Sequence, residues 1–101
     1  MADKKAASML GLAMKAGKVL SGEFSCENAI RDGKAKLVII ATDASANTSK
    51  KFNDKCSFYE VPVRTCFTKE ELGHFIGKDP RAVAAVTDEG FAKSLMTKTD
   101  I

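Results

Sequence analysis

Apolar side chains recur at the three- and four-residue spacing of a helix face in five segments of the chain. The first segment, Lys4 to Met14, has Asp3 as its expected N-cap and Gly17 just beyond its end. The second begins near Gly22 and ends at Gly33. The positions predicted to be buried are Cys26, Ala29 and Ile30 in the second helix; Thr48, Phe52 and Cys56 in the third; Leu72, Phe75 and Ile76 in the fourth; and Phe91 and Leu95 in the fifth. The third helix is expected to start at Ser45, the fourth to be capped by Thr68 and the fifth by Thr87 or Asp88.

Four runs between these helices are predicted to be strands. Lys36 to Ala41 is an unbroken apolar run, typical of a central strand that is covered on both faces. Lys18 to Ser21 is a short extended piece, and Ala82 to Val86 is a strand of small residues. The run from Val61 to Phe67 contains Pro62, so this strand either pairs from one side near its start or begins there.

The alternation of helices and strands predicts an α/β fold, a three-layer α/β/α sandwich with a four-stranded mixed sheet and about five helices. We expect a single domain over residues 1–101, because a chain of this length with 45% hydrophobic residues can bury one core. Thr68 and Glu71 fit a capping box for the fourth helix, which Gly77 ends. Lys78 to Arg81 is a predicted turn, and Met96 to Ile101 is expected to fray.

The sequence favours a cytoplasmic protein without a membrane partner. It has no run of about 18 apolar residues, and its amino end lacks the order of a secretory signal. Cys26, Cys56 and Cys66 are odd in number and widely spaced, so we interpret them as small core residues rather than as disulfides or metal ligands. A catalytic thiol is the less favoured alternative, with His74 as the one available histidine. We expect a monomer.

The charge of the chain leaves two interpretations open. A net charge of +3 and a pI near 8.8 are moderate for a dedicated nucleic-acid binder. Several lysines of the first half nevertheless lie near predicted turns and helix ends, namely Lys15, Lys18, Lys34, Lys36, Lys50 and Lys51. They form either a solvated lysine-rich face or a surface for phosphates.

Catalytic motifs are missing from the sequence. It contains no GxGxxG, no GxxxxGK followed by Ser or Thr, no GxSxG and no histidine or cysteine pair at metal-ligand spacing. Asp43 follows the central strand, where α/β enzymes often place a catalytic carboxylate, but we favour a turn-forming role beside Ala44 and Ser45. We therefore expect no enzymatic activity, no metal and no cofactor.

The start of the second helix is a candidate phosphate site. Gly22 lets the backbone approach a ligand, and the first amides of a helix carry partial positive charge. Lys18 precedes the turn, whereas Glu23 in the first turn repels phosphate. The alternative is an ordinary helix start capped by Ser21.

Phe24 also has two possible roles at this helix start. It is placed either to stack on an unpaired base or to staple the helix start against the core, and we favour the staple.

The stretches GLAMKAGKVLSGE, GEFSCENAIRDGKAKLVIIATDASA, VPVRTCFTKEELG and AVTDEGFAKSL together cover most of the chain. In combination they resemble the kink-turn RNA-binding superfamily of small ribosomal proteins, and most closely its bacterial YlxQ-like branch. The resemblance implies an α/β/α sandwich that holds a sharply bent RNA with the start of helix two, while a loop before the last strand covers an extruded base.

On this chain the resemblance implies two groups of RNA contacts. The first comprises Ser21, Gly22, Phe24, Ser25 and Asn28, with Ser45 and Ser49 nearby. The second comprises Lys69 and the loop Lys78, Asp79, Pro80 and Arg81, with Val83 behind it, while Lys18 and Lys34 add charge. The implied partners are ribosomal or other structured RNA and ribosomal proteins.

This chain departs from the superfamily's usual base-reading residues. The better-known members carry Asn, Glu and Lys where this chain has Phe24, Ser25 and Asn28, and Asp32 replaces a basic residue. Lys78 replaces an apolar residue in the second group. These changes favour contacts to the RNA backbone, which give affinity but little sequence information.

Three functions therefore follow as hypotheses. The first is a non-enzymatic, ribosome-associated RNA-binding protein. The second is a protein-interaction module that keeps the fold with weak or no kink-turn binding. The third is a small-molecule or nucleotide enzyme of flavodoxin-like architecture, for which the sequence lacks a phosphate motif and a catalytic base.

Overall fold

The computed structural model describes residues 4–99, which contain the predicted helices and strands in the predicted order. The helices are α1 (Lys4–Lys15), α2 (Glu23–Arg31), α3 (Ala46–Phe58), α4 (Lys69–Phe75) and α5 (Glu89–Thr99). The strands are β1 (Val19–Ser21), β2 (Leu37–Ile40), β3 (Val63–Thr65) and β4 (Val83–Val86). No helix within this range is both long and apolar enough to cross a membrane.

The four strands form one mixed sheet in the order β1-β4-β2-β3. Strand β4 runs antiparallel to both β1 and β2, whereas β2 and β3 are parallel. As predicted, β2 is a central strand, and Pro62 precedes a strand that pairs on one side only.

Alternate residues of β2 bury themselves in two separate cores, which explains why the whole strand is apolar. Leu37 and Ile39 pack with α1, α4 and α5, while Val38 and Ile40 pack with α2 and α3. All four side chains are fully buried. The predicted three-layer α/β/α sandwich is confirmed.

Side-chain caps fix where most of the helices begin. The capping box of Thr68 and Glu71 is present, and Ser45 accepts a hydrogen bond from the amide of Thr48. Between the two candidate caps for α5, the structure selects Asp88, whose Oδ2 accepts from the amide of Phe91 at 2.9 Å. Thr87 instead bonds through its amide to the carbonyl of Lys18.

The expected fraying of the carboxyl end is wrong for residues 96–99. Helix α5 continues to Thr99, because Leu95 and Thr99 are buried and the Thr99 hydroxyl donates to the carbonyl of Leu95 at 2.7 Å. Asp100 and Ile101, like the predicted cap Asp3, lie outside the described residues.

The strand directions give the sheet two chemically different ends. At the upper end β1, β2 and β3 finish and β4 starts, so α2, α3 and α4 all begin there. At the lower end β4 finishes and the other three strands start, so α1 and α2 end and α5 begins there.

Candidate nucleic-acid interface

Helix α2 begins at the upper end with a turn that requires glycine. Gly22 has φ 89° and ψ 154°, a backbone region that is almost exclusive to glycine. The alternative of a helix start capped by Ser21 is wrong, because Gly22 is the N-cap and no side chain caps the helix. The Ser21 hydroxyl instead accepts from Nε of Arg81 at 3.3 Å, across 60 positions of sequence.

The uncapped turn leaves a set of backbone donors open. The first hydrogen bond of α2 runs from the amide of Cys26 to the carbonyl of Gly22, at 3.1 Å. The amides of Glu23, Phe24 and Ser25 precede it and have no acceptor within residues 4–99. Open amides together with the positive end of the helix dipole form an anion-binding surface.

The carboxylate of Glu23 does not cancel this positive end, because it is turned toward α3. It accepts hydrogen bonds from Oγ1 of Thr48 and Nζ of Lys51, both at 3.3 Å. Lys51 also pairs with Glu27, and this hydrogen bond lowers the pKa of Glu27 and raises the pKa of Lys51. Lys51 therefore offsets only part of the predicted repulsion between Glu23 and phosphate, because it is shared with Glu27.

Phe24 projects into solvent, so the predicted staple against the core is wrong. Its exposed fraction is 78%. Cys26, Ala29 and Ile30 form the buried face of α2, and Phe24 lies two residues before Cys26, about 200° around the helix. The exposed ring beside open amides is available to stack on a base.

Ser25 and Asn28 flank this ring and are both half-buried. Oδ1 of Asn28 accepts a hydrogen bond from Nη2 of Arg31, which leaves the amide nitrogen of Asn28 as a donor. The Ser25 hydroxyl has no partner within the described chain. Both side chains are neutral hydrogen-bonding groups.

The first turn of α3 lies beside that of α2, through the bond between Thr48 and Glu23. Ser45 caps α3, and its hydroxyl also donates to Oγ1 of Thr48 at 3.0 Å. This hydroxyl is therefore engaged within the protein. Ser49 follows Thr48 in α3 and is half-buried.

The Lys78–Arg81 loop closes the other side of the α2 turn. Arg81 reaches Ser21 through its side chain, and its amide donates to the carbonyl of Lys69 at 3.1 Å. The amide of Lys69 donates to Oδ1 of Asp43 at 2.8 Å, so Asp43 has a structural role at the start of α4. Lys69, Lys78 and Pro80 are exposed around this arrangement.

Gly73 supports the loop, and the sequence prediction missed this role. A Cβ at Gly73 would lie 2.2 Å from the carbonyl oxygen of Asp79 and 2.9 Å from Cα of Pro80. The amide of Lys78 also donates to the carbonyl of Gly73 at 2.8 Å. The signal in the sequence was a glycine inside a helical pattern, which usually has a packing reason.

Three residues of the predicted RNA-binding set do not lie on this surface. Val83 is fully buried under the loop. Lys18 precedes β1 at the lower end, about 10 Å of strand away from Ser21. Lys34 follows the carboxyl end of α2, a helix of nine residues and about 13 Å. We call the remaining set the upper surface: Ser21, Gly22, Phe24, Ser25, Asn28, Ser45, Ser49, Lys69, Lys78, Pro80 and Arg81.

The cysteines behave as core residues. Burial raises the pKa of Cys26 to about 12 and that of Cys56 to about 11, and both side chains are buried. Cys66 is half-buried, and burial raises its pKa to about 11. All three thiols are protonated at neutral pH. Within residues 4–99, no three His, Cys, Asp or Glu side chains are grouped to hold a metal ion.

Comparison with known proteins identifies relatives along nearly the whole chain. The profile of the ribosomal protein L7Ae/L30e/S12e/Gadd45 family matches residues 4–96. The RNA-binding protein YlxQ of Bacillus subtilis (strain 168) is 49% identical over 92 residues, covering 91% of this chain and 92% of that protein. The RNA-binding protein YlxQ of Enterococcus faecium is 50% identical over 90 residues, covering 89% and 86%.

A solved structure from Bacillus halodurans, of a protein with unknown function, superposes with a TM-score of 0.94 at 39% identity. The superposition covers 98% of this chain and 100% of that one.

Proposed function

Because the chain belongs to the ribosomal protein L7Ae/L30e/S12e/Gadd45 family, we propose that it is a non-enzymatic RNA-binding protein that holds structured, bent RNA on the upper surface. Its membership confirms the resemblance identified from the sequence, including the YlxQ-like branch. The proposal extends to association with the ribosome and its proteins, as a cytoplasmic monomer.

The observation that carries the proposal is the juxtaposition of open amides and an exposed aromatic ring at the start of α2. The amides of residues 23–25 have no acceptor within the described residues, and Phe24 is 78% exposed beside them. A phosphate fits the first feature and an unstacked base fits the second. Bent RNA with an internal loop presents both phosphates and unstacked bases.

The upper surface favours recognition of RNA shape over sequence. Within residues 4–99, its cations that lack an ion pair are Lys69, Lys78 and Arg81. Lys69 and Lys78 are exposed and suited to phosphates, while Arg81 also holds the loop to Ser21. Ser25 and Asn28 supply neutral hydrogen bonds, so they replace the charged base contacts of other family members with weaker ones.

The direct test compares a short RNA containing a bent internal loop with a plain duplex of equal length, by fluorescence anisotropy at 50 and 200 mM salt. We expect tighter binding of the bent RNA at both salt concentrations. Equal affinity for the two RNAs would remove shape recognition, and no binding at 50 mM would remove RNA binding. A protein partner that survives nuclease treatment would instead favour the interaction-module hypothesis.

Phe24 and Phe58 provide a matched pair of variants for this assay. Both rings lie on the α2 and α3 layer, with exposed fractions of 78% and 79%, but Phe58 lies at the carboxyl end of α3. Phe24→Ala is expected to weaken binding of the bent RNA about 5- to 150-fold, from a stacking contribution of about 1–3 kcal/mol per base. Phe58→Ala should leave the affinity for bent RNA unchanged. Equal effects of the two variants would contradict the placement of the RNA at the start of α2.

A further inference from the structure

Two lysines flank the end of β4 at the lower end of the sheet. Val86 pairs with Val19 on one side and with Leu37 on the other, and Lys18 and Lys36 immediately precede these partners. The carbonyl of Lys18 accepts from the amide of Thr87 at 2.9 Å, and the amide of Lys36 donates to Val86 at 2.7 Å. Because two strand spacings separate them, their Cα atoms lie about 10 Å apart.

Two glycine turns bring a further lysine to each side of this pair. Gly17, with φ 73°, follows the end of α1, and the amide of Lys18 bonds back to the carbonyl of Ala13 at 2.9 Å. Helix α2 ends in the same way at Gly33, with φ 75°, followed by Lys34. The lysines that these turns and strand starts bring together are Lys15, Lys18, Lys34 and Lys36, which we call the lower lysine cluster.

These four ammonium groups keep their charge available to a partner. Lys15, Lys18 and Lys34 are exposed, and Nζ of Lys36 donates to the carbonyl of Gly33 at 3.3 Å. Within the described part of the chain none of the four has an ion pair.

The carboxylates nearby do not neutralise the cluster. Asp32 lies 3.8 Å from Nε of Arg31, and Asp88 caps α5. Glu60 and Glu89 line a cleft that Lys36 shares. The lower end still keeps an excess of two positive charges, from six cations (Lys15, Lys18, Arg31, Lys34, Lys36 and Lys93) and four carboxylates (Asp32, Glu60, Asp88 and Glu89).

Helix stabilisation explains only part of this cluster. A lysine at a helix carboxyl end interacts favourably with the helix dipole, which accounts for Lys15 and Lys34. Lys36 reaches the same end of α2, because its Nζ donates to the carbonyl of Gly33 at 3.3 Å. Lys18 leads into β1, so the helix dipoles do not account for the cation on that side of β4.

We propose that the lower lysine cluster is a second RNA-binding surface, which takes the phosphodiester backbone of another RNA segment while the upper surface holds the bent RNA. The inference rests on the proposed function. A cleft of about 450 Å³ adjoins the cluster, and its lining includes the cations Arg31, Lys36 and Lys93, the carboxylates Glu60 and Glu89, and the ring of Tyr59. Tyr59 is 41% exposed, and a ring beside cations is an arrangement that single strands use for stacking.

The two surfaces are separated enough to bind independently. They lie at opposite ends of β1 and α2, about 10 Å apart along the strand and about 13 Å apart along the helix. The Debye length is about 8 Å at physiological ionic strength, so phosphates at one end are screened from the other. One protein molecule can therefore join two RNA segments.

The test uses the full chain loaded with unlabelled short bent RNA, to which a labelled plain duplex or a labelled single strand is then added at 50 to 200 mM salt. Native gels report a ternary complex, and anisotropy reports the second affinity. The triple variant Lys18→Ala, Lys34→Ala and Lys36→Ala is compared with Lys4→Ala, Lys5→Ala and Lys98→Ala, which removes equal charge from the opposite ends of α1 and α5. Bent-RNA affinity of both variants is measured first, and the ternary assay uses bent RNA at saturation. Replacing the first three lysines by arginine serves as a rescue.

We expect the wild type, the control and the arginine variant to form the ternary complex. The lower triple variant should lose it, and the slope of log affinity against log salt should fall by about two to three. A ternary complex unchanged in this variant, or lost equally in the control, would overturn the proposal. Whether the duplex or the single strand binds identifies the RNA form that the surface takes.

The design separates this inference from the proposed function. If the wild type binds bent RNA normally but takes no second RNA, only the second surface is overturned. If bent RNA does not bind at all, the proposed function fails, and the same variants titrated on the unloaded protein still test the lower lysine cluster.

Discussion

Substituting two helical glycines by alanine separates helix propensity from loop support. Gly11 lies in α1, where an added Cβ would meet the carbonyl oxygen of Phe75 at an ordinary 3.6 Å. Gly73 lies in α4, where the added Cβ would approach the carbonyl oxygen of Asp79 to 2.2 Å. Cβ atoms essentially never approach closer than 3.0 Å, so the loop must move by at least about 0.8 Å.

The magnitudes predict opposite signs for the two variants. Alanine is favoured over glycine in a helix by about 0.8–1.0 kcal/mol, so Gly11→Ala should stabilise the protein by nearly that amount. Overpacking costs about 1–3 kcal/mol, and hydrogen bonds of the loop are worth about 0.5–1.5 kcal/mol each. Gly73→Ala should therefore destabilise the protein by about 1–3 kcal/mol after the helix gain is subtracted.

Urea unfolding followed by circular dichroism measures both changes, and binding of the bent RNA is measured alongside. Arg81 follows Asp79 and Pro80, which the added Cβ displaces, and its side chain bonds to Ser21. Gly73→Ala should therefore also weaken RNA binding measured without urea. Gly11→Ala should leave binding unchanged. A Gly73→Ala protein that is as stable as the wild type would refute the assigned close contact.

Two further variants test the start of α2. In Gly22→Ala the added Cβ meets open space but lies on a backbone with φ 89°, so the free energy of unfolding in urea should fall by about 1–3 kcal/mol. An unchanged free energy of unfolding would contradict the requirement for glycine. Lys51→Ala removes the partner that lowers the pKa of Glu27. This pair stabilises the folded protein above the ordinary Glu pKa of about 4.3, and the stabilisation is lost as the pH falls through the pKa of Glu27 in the folded protein. The Tm difference between wild type and Lys51→Ala should therefore shrink from pH 7 to pH 3, and a constant difference would contradict this origin.

Local signals in the sequence were sufficient for the order of elements. The capping box at Thr68, the unbroken apolar run of β2 and the restriction imposed by Pro62 each depend on residues close in sequence. The end of α5 was misjudged because the burial of Thr99 depends on packing against other elements. Periodicity predicts which face of a helix is apolar, but not how far packing extends it.

The candidate site was harder to predict because its contacts cross long distances in sequence. Ser21 is a strong N-cap type, yet its hydroxyl bonds to Arg81, 60 positions away. Phe24 precedes the buried face of α2, and only the position of the sheet shows that its ring points outward. Lys18 was grouped with the α2 turn because the two are close in sequence, whereas the strand between them places them at opposite ends.

The distribution of ion pairs gives the two surfaces different salt dependences. Lys50 and Lys51 lie near the upper surface, but Asp54, Glu23 and Glu27 already pair with them. Binding at the upper surface combines the cations Lys69, Lys78 and Arg81 with backbone amides and the ring of Phe24, and salt weakens only the contacts of the cations strongly. Binding at the lower lysine cluster would come mainly from released counterions, which makes it strongly salt-dependent. As salt rises, the proposed second RNA segment should dissociate first, and the bent RNA should remain bound.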